Sequence, residues 1–243
     1  MIGLVFLKSY FSNLALANGQ QSYANITSLL EKNSKPKVFL DVGCYRGEMT
    51  KIWAKHLGAQ EVWGIEILEP AIKMAKQNGV NKIYRGDLNL KWSLPKNSVD
   101  ALVASQVIEH LWDTDNFITE IYRVLKPGGY AVIATDNMAS WHNIIALVLG
   151  WQIFPLTNVS SKKNGVGNPL AMHQGEPIEN DMPKHLRIFT IRALKELFEI
   201  HGLVVEATLR EGWFPLPNRV ANWILKIDRV HSASVELKIR KPG

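Results

Sequence analysis

The chain has a single cysteine, Cys44, in 243 residues. It cannot close an internal disulfide, so a disulfide-stapled secreted scaffold is excluded and a reducing compartment fits. Long apolar runs are also missing. The longest, residues 144–154, is about eleven residues and contains Gln152, short of the roughly eighteen that a membrane-spanning helix needs. Met1 to Lys8 has no basic leading region and only a brief apolar stretch, a poor secretory signal. There is no internal repeat and no low-complexity tract. With 47% hydrophobic and 21% charged residues, the composition is that of an ordinary globular chain and not a disordered one. The length suits one large domain, or one domain with an excursion.

Lys and Arg number 28 against 22 Asp and Glu, a net charge of +6. That balance serves solubility, or it favours anionic partners such as phosphorylated metabolites, a lipid surface or nucleic acid. The basic residues are scattered apart from Lys238, Arg240 and Lys241.

Short apolar runs alternate with stretches of helical period. Residues 37–42, 61–66, 80–85, 99–104, 130–135, 203–209 and 234–239 read as strands. Between them, Met49, Ile52, Trp53 and Leu57 recur at helical spacing before Gly58, and residues 69–78 end at Gly79. Asp113 or Thr114 can cap a helix carrying Phe117, Ile121, Val124 and Leu125, stopped by Pro127-Gly128-Gly129. Thr190 caps another, with Ile191, Leu194, Leu197 and Phe198 on one side, ended by Gly202. Nearly all-apolar strands alternating with helices indicate a parallel sheet covered on both faces. Such sheets bind ligands beyond the carboxyl ends of their strands, where the strand order reverses.

The residues at those ends are therefore informative. The first strand leads into Asp41-Val-Gly43-Cys44-Tyr45-Arg46-Gly47. The spacing is Gly-x-x-x-Gly, not the Gly-x-Gly-x-x-Gly that brings backbone against a pyrophosphate. Asp41, two residues before the first glycine, suits a ligand with an ammonium group and would repel a pyrophosphate; it could also merely cap the turn. Glu66 ends the second strand, nineteen residues after Gly47. It can accept both hydroxyls of a ribose, or be a solvated strand-end acid. Asp87 and Leu88 follow the third strand and could frame an adenine, or form a turn. An amino acid end, a ribose and an adenine together describe S-adenosylmethionine.

On these residues the sequence resembles the class I S-adenosylmethionine-dependent methyltransferases, in particular the small-molecule type with a second signature late in the chain. The resemblance covers about residues 25–136 and 183–210, and weakly the last strand. Asp41 to Gly47 is similar to the family's first motif, Glu66 to its ribose-binding acid and Asp87 to its adenine-side acid. Ser105 to His110 matches the segment after the fourth strand, Lys126 to Gly129 the turn before the fifth, and His185-Leu-Arg-Ile-Phe-Thr190 the late signature. Tyr45 stands where the family usually has glycine. The resemblance implies an α/β fold: a Rossmann-like, doubly wound sheet of about seven mostly parallel strands, the last antiparallel, with a helical and loop excursion over the active site. The organisation expected is one methyltransferase domain, 1–243: an N-terminal helical segment (1–35), a cofactor-binding core (36–136), a lid or acceptor-binding excursion (137–183) and a C-terminal part with an inserted amphipathic helix (184–243). The implied cofactor is S-adenosyl-L-methionine, held by Asp41, Gly43, Cys44, Gly47, Glu66, Ile67, Asp87, Leu88, Ser105 and Gln106. Cys44 reads as a small packing residue of that loop, with no His beside it to make it a nucleophile.

Methyl transfer needs an acceptor aligned behind the sulfonium methyl and water excluded. A general base helps when the acceptor is a hydroxyl or a protonated amine. The candidates are His110 and His185, each of which could instead orient a neighbour or shape the pocket wall. Some relatives hold a divalent metal with carboxylates and a His in the first segment. Here Gln106 replaces one acid, leaving Glu109 and His110, so no metal is expected. Ser105-Gln-Val-Ile also lacks the Asn/Asp-Pro-Pro-Tyr/Phe of relatives that methylate exocyclic base amines.

Residues 136–183 form an excursion of the length that lids and binding elements have. Residues 141–151 are apolar nearly all round, which fits burial or contact with lipid or an apolar substrate. Residues 158–177 suit a closing loop. In 218–230, Val220, Trp223, Ile224 and Ile227 share one face and Arg219, Asn222, Lys226 and Arg229 the other. Such a helix can lie on an anionic membrane or pack on the domain with its charges solvated. The expectation is a cytoplasmic enzyme, with a peripheral contact at the inner membrane face as an extension. It would methylate a small or lipid-like acceptor through oxygen. The rivals are a non-catalytic S-adenosylmethionine-binding or scaffold protein, an NAD-dependent oxidoreductase and an RNA methyltransferase; no appended RNA-binding motif supports the last, and nucleic acid is not an expected partner. Oligomeric state is left open.

Overall fold

The computed structural model describes residues 2–171, 174 and 184–243. Part of the expected excursion, at 172–173 and 175–183, lies outside the described residues, as do the last residues of the expected closing loop and Pro183 at the edge of the late signature.

The elements run α1 (Ile2–Leu29), β1 (Val38–Val42), α2 (Glu48–Leu57), β2 (Glu61–Glu66), α3 (Glu69–Gln77), β3 (Lys82–Arg85), β4 (Val99–Ser105), α4 (Thr114–Val124), β5 (Leu125–Asp136), α5 (Trp141–Val148), α6 (Ile191–Ile200), β6 (Val204–Glu211), α7 (Asn218–Ile224) and β7 (Ser234–Arg240). The seven strands form one sheet in the order β3-β2-β1-β4-β5-β7-β6. Pairings from β3 through β5 are parallel, and β7 runs antiparallel to both its neighbours. The order reverses between β1 and β4, which puts a crevice at their carboxyl ends.

Two apolar layers sandwich the sheet. On one face Phe117 and Ile121 of α4 and Leu194 and Phe198 of α6 pack on Leu40, Leu102 and Leu237. On the other, Ile26 of α1 and Trp53 and Leu57 of α2 pack on Phe39, Val103 and Val132. The helices begin where the capping residues predict: Asp113 accepts from Asn116 N at 2.9 Å and Thr190 from Ala193 N at 3.2 Å. Helix α1 seats a stripe at Leu14, Asn18, Ser22 and Ile26, all buried. Its polar members clasp β7: Ser22 Oγ donates to Glu236 Oε1 at 2.8 Å and Asn25 Nδ2 to Glu236 Oε2 at 3.0 Å.

Three expectations need adjusting. Lys126-Pro-Gly-Gly129 does not separate α4 from the fifth strand. Strand β5 begins at Leu125 and carries these residues as an irregularity, its register jumping from Val99↔Leu125 to Ala101↔Tyr130. The reason is Pro127, which has no N–H to give a ladder. The described part of the 158–177 segment is tied down: Val166 N donates to Thr157 O, Gln152 N to Gly167 O, and buried Asn168 donates to Gln152 O. In the 218–230 helix the packed residues are Ala221 and Leu225; Val220, Trp223 and Ile227 are exposed and Ile224 is half-buried. The sequence face was drawn through the largest side chains, whereas close approach to β6 favours a small residue.

Candidate active site

The crevice is built from five strand ends. Parallel register sets Glu66 beside Arg85 and Ser105 beside Ala134, while Val42 pairs with both Ile65 and Ala104. Glu66, Gly43 and Ser105 therefore fall on one level of three adjacent strands. Neighbouring strands are about 4.8 Å apart, so Glu66 and Ser105 stand roughly 10 Å from each other across the glycine loop.

The loop is tight. Gly43 and Gly47 have φ of 72° and 79°, the left-handed region that glycine enters without penalty. A Cβ on Gly43 would stand 2.7 Å from a methyl of Val107, and one on Gly47 3.0 Å from the Ala75 backbone. Tyr45, in the place of the family's usual glycine, has φ of 45° and an exposed ring. Left-handed backbone at a non-glycine residue costs about 1–2 kcal/mol, so something must hold it. That is Glu66: its Oε2 accepts from Tyr45 N at 2.9 Å, and its Oε1 accepts from Ile67 N at 2.8 Å and Leu68 N at 2.9 Å. A carboxylate offers about four acceptor sites, so Glu66, with three accepted bonds, keeps one.

Asp41, expected to meet an ammonium group or to cap the turn, lies inside the fold. It is buried, and its Oδ2 accepts from the Thr50 hydroxyl in the first turn of α2. Burial pushes its pKa up to about 7, with the Glu66 charge adding to the rise and Thr50 opposing it. Asp41 thus underlies the loop. Thr50 is a residue the sequence reading missed; its place one turn into the helix after Gly47, facing back to the strand end, was the available signal. Cys44 also turns inward, its sulfur 2.7 Å from the position a Cβ on Gly64 would take. Burial pushes its thiol far up, with Asp41 and Glu66 adding. We expect a thiol reagent to leave the native chain unlabelled and to label it fully in denaturant; rapid native labelling would show that the loop opens.

On the other side, Asp87 Oδ1 accepts from Asn89 N and Nδ2, and Asn89 Oδ1 accepts from Trp112 N and Asp113 N. The loop after β3 is thereby tied to the start of α4. Gly86 N donates to Glu66 O at 3.3 Å, joining this loop to the end of β2. A cavity of about 110 Å³ lies beneath it, lined by Ile65, Tyr84, Asp87 and Trp92. Leu88 packs on the core, while Ile67 and Leu90 remain exposed beside the rim. Gln106 is exposed with φ of 55°, its N–H held by Ala134 O.

Farther along the crevice, His110 and His185 come together with ring centroids 4.6 Å apart. The late segment docks here through Leu186 N and Arg187 N, both donating to Glu109 O. His110 Nδ1 lies 3.1 Å from Lys184 O and His185 Nδ1 2.7 Å from Pro155 O. A carbonyl only accepts, so both Nδ1 atoms carry the proton and both Nε2 atoms keep a lone pair. Burial and the neighbouring His185 push the His110 pKa down to about 4. Glu109 is fully buried; its Oε2 accepts from Thr135 Oγ1 at 2.9 Å and its Oε1 has no partner. Burial, helped by Asp136, pushes its pKa up to about 8. Ligand atoms of Glu109, His110 and His185 lie within 4.8 Å of one another. The sequence displayed two members of this group; the third is supplied by a loop some seventy-five residues away. Asp136, ending β5, is a further acid, half-buried, that the strand-end rule would have flagged; desolvation raises its pKa against the opposing effect of His185.

Residues 40–133 match the model of a family described as a methyltransferase domain. A probable S-adenosylmethionine-dependent methyltransferase of Mycolicibacterium smegmatis is 35% identical over 98 residues, 40% of this chain and 37% of that protein. The mitochondrial ubiquinone biosynthesis O-methyltransferase of Rattus norvegicus is 35% identical over 122 residues, 47% of this chain and 35% of its own length. The match to these curated relatives thus spans about a third of their length. Among solved structures, an S-adenosylmethionine-dependent methyltransferase from Mesorhizobium loti superposes with a TM-score of 0.59 at 17% identity, covering 90% of this chain and 96% of its own. At that identity the likeness is one of fold.

Proposed function

Since the core of this chain is a methyltransferase domain of the class I, S-adenosylmethionine-dependent family, we propose that it transfers a methyl group to a small or lipid-like acceptor through an oxygen nucleophile. The observation that carries the reading is the Glu66 carboxylate at the end of β2, which clasps the glycine loop with three accepted bonds and keeps an acceptor site. The left-handed glycines and the acids at successive strand ends suit the cofactor's donors. Glu66 would accept from the ribose, Asp87 with Ile67 and Leu88 would frame the base, and Gly43 to Gly47 with Asp41 beneath would receive the amino acid end. Ser105 and Gln106 close the crevice on the β4 side. When bound, S-adenosylmethionine supplies a methyl group that is already electrophilic.

The chain's own work is then to position the acceptor, exclude water and take a proton. The bare Nε2 atoms of His110 and His185 can accept the hydroxyl proton, and their backbone carbonyl partners fix the tautomer that allows it. Likeness to an O-methyltransferase of ubiquinone biosynthesis supports oxygen as the acceptor atom. Calorimetric titration with S-adenosylmethionine and with NAD tests the cofactor; binding of NAD alone overturns the reading. Release of S-adenosylhomocysteine with polyprenylated phenols, and none with any acceptor in the rival scaffold case, tests catalysis. His110→Ala and His185→Ala should each lower kcat about a hundredfold and leave cofactor affinity within about twofold. Unchanged turnover removes them from the chemistry.

A second reading has one observation in its favour, the unpartnered Oε1 of buried Glu109 beside two imidazole lone pairs. Two nitrogens and a carboxylate oxygen can hold a divalent cation, with the Nδ1–H groups given to carbonyls as ligating histidines commonly are. Chelation separates the two: activity lost to EDTA and restored by a divalent ion supports the cation, and activity insensitive to EDTA supports the imidazole base.

A further inference from the structure

The α7 segment remains outside the methyl-transfer reading. Helical hydrogen bonding continues past Ile224, with Leu225 N donating to Ala221 O and Asp228 N to Ile224 O. The turns are fastened at Asp228, whose Oδ2 accepts from Trp141 Nε1 at 2.8 Å and Trp213 Nε1 at 3.0 Å, and whose Oδ1 accepts from Val230 N. Ala221 and Leu225 pack inward, so the outward face is fixed. It carries an apolar flank in which Trp223 is 63% exposed and Ile227 76%, with Val220 and Val230 also exposed. A large aromatic and a β-branched residue, held outward on an anchored helix, have no reason to face water alone.

The adjoining flank is basic. Lys226, Arg229 and Arg210 of β6 have no carboxylate within ion-pair distance among the described residues, and Arg210 Nε is buried without a hydrogen-bond partner. By contrast, the cation pair on β7 is neutralised: Arg240 and Lys238 sit on Glu31 and Glu206. Between α1, β6 and α7 a cleft of about 290 Å³ opens, lined by Gln21, Asn25, Arg210, Asn222 and Lys226. The Gln21 and Asn25 amides are engaged, Gln21 Nε2 donating to Asn25 Oδ1 at 3.1 Å and Asn25 Nδ2 to Glu236 Oε2 at 3.0 Å, which leaves the Arg210 and Lys226 cations and the Asn222 amide to meet an oxyanion.

We propose that this face docks on an anionic lipid bilayer, with a headgroup phosphate in the Arg210–Lys226 cleft and Trp223 and Ile227 entering the interfacial layer. Charge complementarity commits it to lipid: the unpaired cations and the apolar flank lie side by side on one outward surface, the pattern of an interfacial helix. The face lies at the β6 edge of the sheet, several strands from the crevice between β1 and β4. Its role is to bring an apolar acceptor and the crevice to the same surface, and docking itself requires neither cofactor nor acceptor.

Vesicle sedimentation of the full chain, without cofactor, tests it. Phosphatidylcholine vesicles should leave the protein in solution. Vesicles with about a quarter phosphatidylglycerol should carry it down, less so as salt is raised. Each basic side chain removed should weaken partition about fivefold, so Lys226→Gln with Arg229→Gln should lose more than tenfold. Trp223→Ser with Ile227→Ser should lose binding to a similar degree. All four positions are exposed, and circular dichroism should be unchanged. Equal pelleting with both vesicle types, or variants that pellet like the parent, overturns the proposal. So does saturable binding of inorganic phosphate without vesicle binding, or self-association that the Trp223 and Ile227 changes abolish. None of these outcomes touches methyl transfer, which is read by the release of S-adenosylhomocysteine.

Discussion

Glu66→Ala should bind S-adenosylmethionine about a hundredfold more weakly than the parent and melt several degrees lower. The carboxylate does two jobs at once. Its three backbone donors, Tyr45, Ile67 and Leu68 N–H, would be left without a partner, and orphaned donors cost about 1–3 kcal/mol each where water cannot reach them. The left-handed Tyr45 would lose the bond that holds it. The ribose would in addition lose an ionised acceptor, worth about 1.5–3 kcal/mol per hydrogen bond. Glu66→Gln divides the two jobs. Its carbonyl oxygen can still accept from Ile67 and Leu68, but its amide would meet Tyr45 N–H donor to donor. A loss near tenfold is expected there. Calorimetry and thermal melts on both variants check this; Glu66→Ala with parental affinity would remove Glu66 from the cofactor site.

The second large effect is on stability against pH. Asp41 and Glu109 have folded-state pKa values of about 7 and about 8, raised mainly by burial. Glu211 and Glu236 are raised as well. A carboxyl with a raised folded pKa holds its proton in the native chain after the unfolded chain has released it. Its contribution is full at acid pH and is lost as pH climbs through the folded value, about 1.4 kcal/mol per pH unit for each proton so held. His110 and His142 oppose this, since burial drives both to about 4; their effect fades once pH exceeds the ordinary imidazole value. Below about pH 4 the lowered carboxylates Glu31, Glu120 and Glu206 lose their ion pairs. Stability should therefore peak on the acid side of neutrality and fall by about 2 kcal/mol or more from pH 6.5 to pH 8.5. Asp41→Asn and Glu109→Gln should flatten that limb. A denaturation free energy that is constant or rising across it would contradict the buried, unpaired character of these acids.

The alternation of strands and helices was legible because apolar runs of strand length were bounded by glycine or a cap at nearly every junction. Asp41, Glu66 and Asp87 were legible for a related reason: strand ends in such sheets are where chemistry collects. What could not be read was anything needing a third dimension. The bond from Thr50 to Asp41 could not be read because a sequence does not show the first turn of α2 folding back over the strand end. The meeting of His110 and His185 could not be read because it depends on the late segment docking through backbone donors to Glu109 O and through the His110 Nδ1 bond to Lys184 O. The inward face of α7, Ala221 and Leu225, could not be read because hydrophobic size says where a helix would prefer to pack, not how near the sheet lets it come. Pro127 read as a break, yet the strand runs past it because its partner tolerates a skipped register.

Helix α1 is clasped to β7 through Glu236, 214 residues from Ser22 and 211 from Asn25. During synthesis, α1 must wait for the strand that completes its seat, through tens of seconds of translation at usual speeds of about 5–20 residues per second. Ile26 can seat early on Phe39 and Trp53, while the part of the stripe around Ser22 stays without its strand for that interval, which makes the nascent chain a natural client for holdase chaperones.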